Sequence, residues 1–284
     1  MEIIELTEHI KDEDSAIEYL RSKGILKVYE SCCYCGCKEY WGIRRRKYKC
    51  KGCRREWSIR KGSILEKFKI SFRKFLLSLK LFEMELSALR VSKQLKISYV
   101  TALKLYDFYR YMIIKEIEDG NKLGGEIEID ESYFGGRRKG KRGRGATNKI
   151  PVFGILEREG RVKVEIVEDV KAERLLELTI DKVKRGSIIY TDCYRSYDTL
   201  MMYGFKHRRI NHDVRFANGK VYINGIEGFW SYAKERLLKY HGVSRDKFIL
   251  YLKELEFRYN NRKKDIFDLL LDIINKNYMV AINE

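Results

Sequence analysis

Three acids stand where metal-assisted phosphoryl chemistry would need them. Asp130 closes the stretch GEIEID, Asp192 closes SIIYTD, and Glu227 lies in NGIEGFW, with 34 residues between the second acid and the third. GEIEID alternates, with Ile127 and Ile129 facing one way and Glu126, Glu128 and Asp130 the other, which is the period of a strand. SIIYTD reads as a buried strand. Adjacent strands would bring Asp130 and Asp192 together, and carboxylates that close repel unless cations sit among them. Hard oxygen ligands with open positions suit Mg²⁺ or Mn²⁺, and two such ions roughly 3.5–4 Å apart clamp both oxygens of an in-line displacement. The plainer reading is surface acids, in a chain with 41 Asp and Glu.

The third acid belongs to YINGIEGFWSYAKERLLK, residues 222–239. Wound at about 100° per residue, Ile226, Trp230, Ala233 and Leu237 fall on one packing stripe. Glu227 and Lys234 lie two turns apart and roughly 20° from each other, on the border of that stripe, so they face one cleft. Asn224 precedes Glu227 by three, the spacing from N-cap to N3 in a capping box. The spacing therefore predicts that Asn224 starts the helix. Glu227 is left for the metal, or acts as the reciprocal cap.

A different metal chemistry is written between residues 32 and 53, CCYCGCKEYWGIRRRKYKCKGC, which holds six of the seven cysteines. Cys32 and Cys35 form one CxxC pair and Cys50 and Cys53 another, with fourteen residues between. Two such turns supply the tetrahedral sulfur set of a closed structural zinc site. A redox dithiol would need only one pair beside a βαβ pattern. Cys33 and Cys37 are bystanders in this scheme, and Trp41 and Trp57 are expected to pack the small module.

The elements that must carry these sites follow from pattern and charge. The chain has 284 residues and a formal charge of +18, which points to a polyanion, most simply nucleic acid. No apolar run approaches the length of a membrane span. The acidic N-terminus lacks a signal-peptide pattern, so a cytoplasmic, nucleoid-associated protein with reduced thiols is expected. Eight cations lie between Arg44 and Arg55, with Arg44, Arg45 and Arg46 leading them. Seven more lie in the Gly-rich stretch 137–149, including Arg137, Arg138, Lys139, Lys141, Arg142 and Arg144. Both groups would neutralise phosphates. Between them, SFRKFLLSLKLFEME, LSALRVSKQL and YVTALKLYDFYRYMI have helical spacing, with Ser71 as N-cap of the first. The short turn KIS between the last two gives the outline of a helix-turn-helix, whose second helix would offer Ser98, Tyr99, Thr101 and Lys104 to a major groove. PVFGILEREGRVKVEIV reads as a hairpin turning near Glu159 and Gly160, and AERLLELTIDKVKRG as an amphipathic helix. The whole is an α/β sheet of mixed strand direction behind two small N-terminal modules.

In order along the chain, GGEIEIDESYFGGRRKGKRGRG, VFGILEREG, IYTDCYRSYD, INHDVRFANGKVYINGIEGFWSYAKERL and EFRYNNR resemble insertion-sequence DDE transposases related to the Merlin elements. CxxCG followed by KCKGCRREWS is similar to the zinc ribbon of that group, although Cys33 replaces the usual proline. The resemblance implies a ribonuclease H-like catalytic domain, with Asp130, Asp192 and Glu227 as the triad and two Mg²⁺ or Mn²⁺ ions. Lys234 then corresponds to a basic position near the DNA end, and Asn224 is the competing third residue. Further implications are terminal inverted repeats as the bound DNA, cleavage and strand transfer as the reaction, and at least a dimer on DNA. Water and a 3′-hydroxyl are the nucleophiles of this chemistry, so Tyr133 and Tyr194 are expected to pack or touch DNA. His207 and His212 fall near the site without an assigned role. Expected borders are 1–62 for an N-terminal helix and zinc ribbon, 63–120 for the helical DNA-binding domain, and 121–284 for the catalytic domain with C-terminal helices. Two other readings share these residues: a nuclease that cuts without strand transfer, and a non-catalytic zinc-ribbon regulator.

Overall fold

The computed structural model describes residues 1–118, 121–135, 149–192, 200–210, 223–240 and 242–283. The side chains of 118, 192, 209, 210 and 278–283 are not described, and Asp192 is therefore placed by its backbone alone. Arg137, Arg138, Lys139, Lys141, Arg142, Arg144, Cys193, Tyr194 and His212 lie outside the described residues. By its contacts the chain divides into two compact units, Met1–Glu116 with Lys264–Glu284, and Ile117–Lys263.

The first unit opens with α1 (Ile3–His9) and α2 (Glu13–Ser22), the latter capped by the Asp12 carboxylate on the Ser15 N–H at 2.7 Å. A three-stranded antiparallel sheet follows, β1 (Tyr40–Ile43), β2 (Lys47–Cys50) and β3 (Glu56–Ser58), paired in chain order. Trp57 is buried among Tyr29, Tyr40 and Tyr48 as expected, but Trp41 is exposed. So thin a sheet packs one face, and Trp57 takes it. Next come α3 (Phe72–Glu83), α4 (Ala88–Leu95) and α5 (Tyr99–Glu118). The side chain of Ser71 caps α3, and Phe72, Phe75, Leu76, Leu79 and Phe82 are all buried, as their spacing predicts. Only residues 96–98 separate α4 from α5, the outline of a helix-turn-helix. The reversal runs through Lys96 at φ +49°, a left-handed cap usually given to glycine. The last helix, α9 (Ile266–Asn283), lies in this first unit, whereas the sequence grouped it with the sheet.

The second unit is built on β4 (Glu126–Phe134), β5 (Ile150–Glu157), β6 (Val162–Ile166), β7 (Ile188–Asp192) and β8 (Lys206–Ile210). Their order across the sheet is β6-β5-β4-β7-β8. The β4–β5 and β5–β6 pairs are antiparallel, while β4–β7 and β7–β8 are parallel. The hairpin between β5 and β6 turns where expected, with Glu159 at φ +59°. On one face Ile127, Ile129, Phe153, Ile155 and Ile189 form a core with Leu175 of α6 (Ala172–Lys182). The other face is covered by α7 (Asn224–Leu237) and α8 (Arg245–Asn260), through Ile226, Phe229, Trp230, Ala233, Phe248, Leu252 and Leu255. The polar side of the β4 alternation is therefore the side beneath α7.

α8 also closes the outer edge of the sheet. The Asn260 amide accepts from the Val162 N–H at 2.7 Å and donates to the Val162 carbonyl at 2.9 Å. Glu256 accepts from the Val164 N–H at 3.1 Å, and the Lys253 ammonium donates to the Val164 carbonyl at 2.6 Å. Lys253 and Glu256 pair at 2.9 Å, so these two buried charges are neutralised as they do so.

Candidate active site and metal centre

Parallel pairing joins the strands that carry the first two acids. Glu126 pairs with Ile188 and Glu128 with Tyr190. The pairing ends there, and the same register carried two residues further along each strand would reach Asp130 and Asp192. Neighbouring strands lie about 4.7–4.9 Å apart. The Asp130 carboxylate is half-buried and accepts a hydrogen bond from the indole Nε1 of Trp230 on α7 at 3.0 Å. Gly154 faces Asp130 across the β4–β5 ladder. A Cβ there would meet the Trp230 ring at 2.5 Å, so glycine is what lets the indole lie on the sheet and reach Asp130.

The helix that bears the third acid, α7, packs on the same face. Ile226, Trp230 and Ala233 are buried as the stripe requires, Leu237 is half-buried, and Phe229 joins them. Glu227 is exposed in the first turn, and Lys234 is exposed two turns on, its ammonium 5.7 Å from the centre of the Phe134 ring. Asn224 does not cap the helix. The N-cap is Ile223, no side chain of the local segment bonds there, and Asn224 is an exposed first residue of α7. The capping carboxylate comes from the sheet instead, with Glu128 Oε2 accepting from the Ile226 N–H at 2.9 Å. That contact spans 98 residues, and no local spacing encodes it. With the cap supplied from below, Glu227 is free of the capping box.

Asp130, Asp192 and Glu227 would offer carboxylate oxygens alone, and Glu227 is open to solvent. Both features suit a hard divalent ion rather than a thiophilic one. His207 on β8 is within hydrogen-bond distance of Thr191, at 2.9 Å through Nε2, and burial holds its imidazole below the usual histidine range. Tyr133 lies on β4, three residues past Asp130.

In the first unit the cysteines converge. The sulfurs of Cys32, Cys35, Cys50 and Cys53 lie within 4.8 Å of one another. Two of the separations are 3.7 Å, Cys32 to Cys53, and 3.6 Å, Cys35 to Cys50. Sulfurs about 2.3 Å from one tetrahedral zinc would be spaced by nearly that distance. The N–H groups of Tyr34 and Cys53 point at Cys32 and Cys50, as thiolates would require. Cys33 and Cys37 stay outside the four, so the cluster fits a zinc ribbon. At the tip of its first hairpin, Arg44, Arg45 and Arg46 are exposed, the last two at φ +61° and +52°. Arg46 also pairs with Asp14 at 2.9 Å. At the start of α5, the Ser98 hydroxyl accepts from the Thr101 N–H and meets its hydroxyl at 2.8 Å. Tyr99 and Lys104 are exposed beside them.

The fold and this site define a mixed-sheet α/β protein with the strand order and directions of the ribonuclease H-like class. The family model for the ISXO2-like transposase domain matches residues 122–260. An uncharacterized transposase-like protein of Haemophilus influenzae is 48% identical over 101 residues, 36% of this chain and 82% of that protein. An uncharacterized protein in transposable element ISH50 of Halobacterium salinarum is 28% identical over 231 residues, 75% of this chain and 78% of that one. Among solved structures, the catalytic domain of Mos1 mariner transposase aligns with a TM-score of 0.35 and 12% identity, over 63% of this chain and 90% of that one. The chain belongs to the insertion-sequence DDE transposases of the ISXO2-like family. No helix among the described residues is long and apolar enough to cross a membrane.

Proposed function

We propose that this transposase binds the terminal inverted repeats of its element, cuts DNA at the element ends and joins the freed 3′-hydroxyl to target DNA. The observation that supports the reading is the parallel register of β4 and β7, the strands that carry Asp130 and Asp192, beneath the helix that bears Glu227. These three side chains would hold two Mg²⁺ or Mn²⁺ ions. When bound, such ions supply Lewis acidity to the phosphodiester and lower the pKa of the attacking water or hydroxyl.

The chain's own residues do the rest. Trp230 fixes the Asp130 carboxylate by one oxygen. Lys234, exposed on the same helix as Glu227, meets a backbone phosphate of the DNA end. Stretch 137–149, the ribbon tip at Arg44, Arg45 and Arg46, and the start of α5 at Ser98, Tyr99, Thr101 and Lys104 bind the duplex. Because Ser98 and Thr101 already cap α5, Tyr99 and Lys104 have the side chains most available there. A structural Zn²⁺ on Cys32, Cys35, Cys50 and Cys53 holds the ribbon. A pair of copies on DNA brings two ends together, in the cytoplasm.

The test is a duplex carrying an element end, incubated with the full chain and Mg²⁺. Nicking and joined products that vanish with Asp130→Ala, while binding persists, are expected. Nicking without joining would favour the nuclease, and binding without nicking the regulator.

A further inference from the structure

One guanidinium touches the strands of two of the acids and, through a carboxylate it shares, reaches the helix of the third. Arg158, at the β5–β6 turn, donates from Nε to Glu128 Oε1 at 3.0 Å and from an Nη to Glu126 Oε2 at 2.6 Å, both on β4. Its guanidinium lies 3.8 Å from the ring centre of Tyr190 on β7. The second oxygen of Glu128 takes the Ile226 N–H at the start of α7. Glu128 is two residues before Asp130, Tyr190 is two before Asp192, and Ile226 is one before Glu227. The Glu128 side chain is 1% exposed and that of Arg158 12%.

Stability alone does not account for this pair. Burying a carboxylate and a guanidinium costs desolvation, and apolar residues of similar volume commonly hold a core as well. Directional bonds do what apolar packing does not: they fix the register of a strand, a second strand and a helix against one another. The close approach at α7 is built for it. A Cβ on Gly225 would stand 2.8 Å from Glu128 Oε2, so glycine is what admits the carboxylate to the helix terminus.

We propose that Glu128 and Arg158 are positioning residues, holding β4, β7 and α7 in the register that lets Asp130, Asp192 and Glu227 share divalent ions. The inference rests on the metal-site reading above. Neither residue is a ligand in this scheme; each acts through the backbone that carries a ligand. Groups one step behind metal ligands commonly set affinity by roughly 10–100-fold.

The experiment titrates Mn²⁺ into the zinc-saturated full chain, following free Mn²⁺ by its paramagnetic signal, with no turnover involved. Wild type is compared with Arg158→Met, Glu128→Gln, Asp130→Asn and the control Glu254→Gln. The control breaks a different buried pair, the 2.8 Å contact of Glu254 with Arg258 on α8. Expected are loss of Mn²⁺ binding in Asp130→Asn, weakening of roughly 10-fold or more in Arg158→Met and Glu128→Gln, and wild-type binding in the control. Wild-type binding in Arg158→Met and Glu128→Gln, with Asp130→Asn defective, overturns the positioning role and leaves the site reading intact. Undiminished binding in Asp130→Asn overturns the site reading itself, and the positioning role with it. Should the charge variants fail to fold, Gly225→Ala separates Glu128 from Ile226 without removing a charge. Weakened Mn²⁺ binding there supports the proposal, and wild-type binding overturns it.

Discussion

The indole of Trp230 donates to Asp130 at 3.0 Å across the space that Gly154 leaves open. One carboxylate oxygen is thereby fixed before any ligand arrives, and a fixed oxygen loses less freedom on coordination. Trp230→Phe keeps the packing and removes the donor. We expect a stability loss of about 1 kcal/mol in urea unfolding, and a cleavage rate lower by roughly 10-fold. Gly154→Ala forces the ring away and should cost more, about 1–3 kcal/mol.

Glu227 and Asn224 separate by experiment. Glu227→Gln keeps shape and loses charge, so end cleavage should fall by on the order of 10²–10³-fold, the scale for deleting one electrostatic stabiliser, with DNA affinity retained in a mobility-shift assay. Asn224→Ala removes no cap and should shift the unfolding midpoint little; Asn224→Asp should retain activity. A dead Asn224→Ala beside an active Glu227→Gln would exchange the two assignments.

Zinc should copurify at one ion per chain. Cys50→Ser is expected to lose the metal and unfold the ribbon, since a structural zinc contributes about 10–16 kcal/mol in small ribbons and fingers. Cys33→Ser and Cys37→Ser should keep it, because neither sulfur belongs to the four that converge. Metal analysis of the purified variants decides this.

DNA affinity should fall steeply with salt. Neutralising roughly six phosphates predicts a slope of about −5 in log K against log salt. Replacing Arg44, Arg45 and Arg46 together by alanine should make that slope shallower by two or three units, measured by anisotropy across a salt series.

What the sequence made legible was periodic or closely spaced. Alternation on β4 announced which side Asp130 would take, and the stripe on α7 set Glu227 and Lys234 at its border. The paired CxxC turns foretold the sulfur cluster. Long-range contacts were not legible. Spacing made Asn224 a cap, yet the cap is a carboxylate on a strand 98 residues away. Trp230 read as packing because its nitrogen finds Asp130 only once β5 presents a glycine beneath it. Arg158 drew no notice beside the Glu159 and Gly160 turn, since nothing local reveals its contacts with β4 and β7.

The Asn260 amide imitates a strand along the flank of β6, and Lys253 and Glu256 answer the next residue inward. Lateral growth of the sheet is blocked there, for Val162 and Val164 have no backbone group left to offer a newcomer. A second copy of this fold would therefore find no free strand edge at this flank, and any contact there would run through side chains.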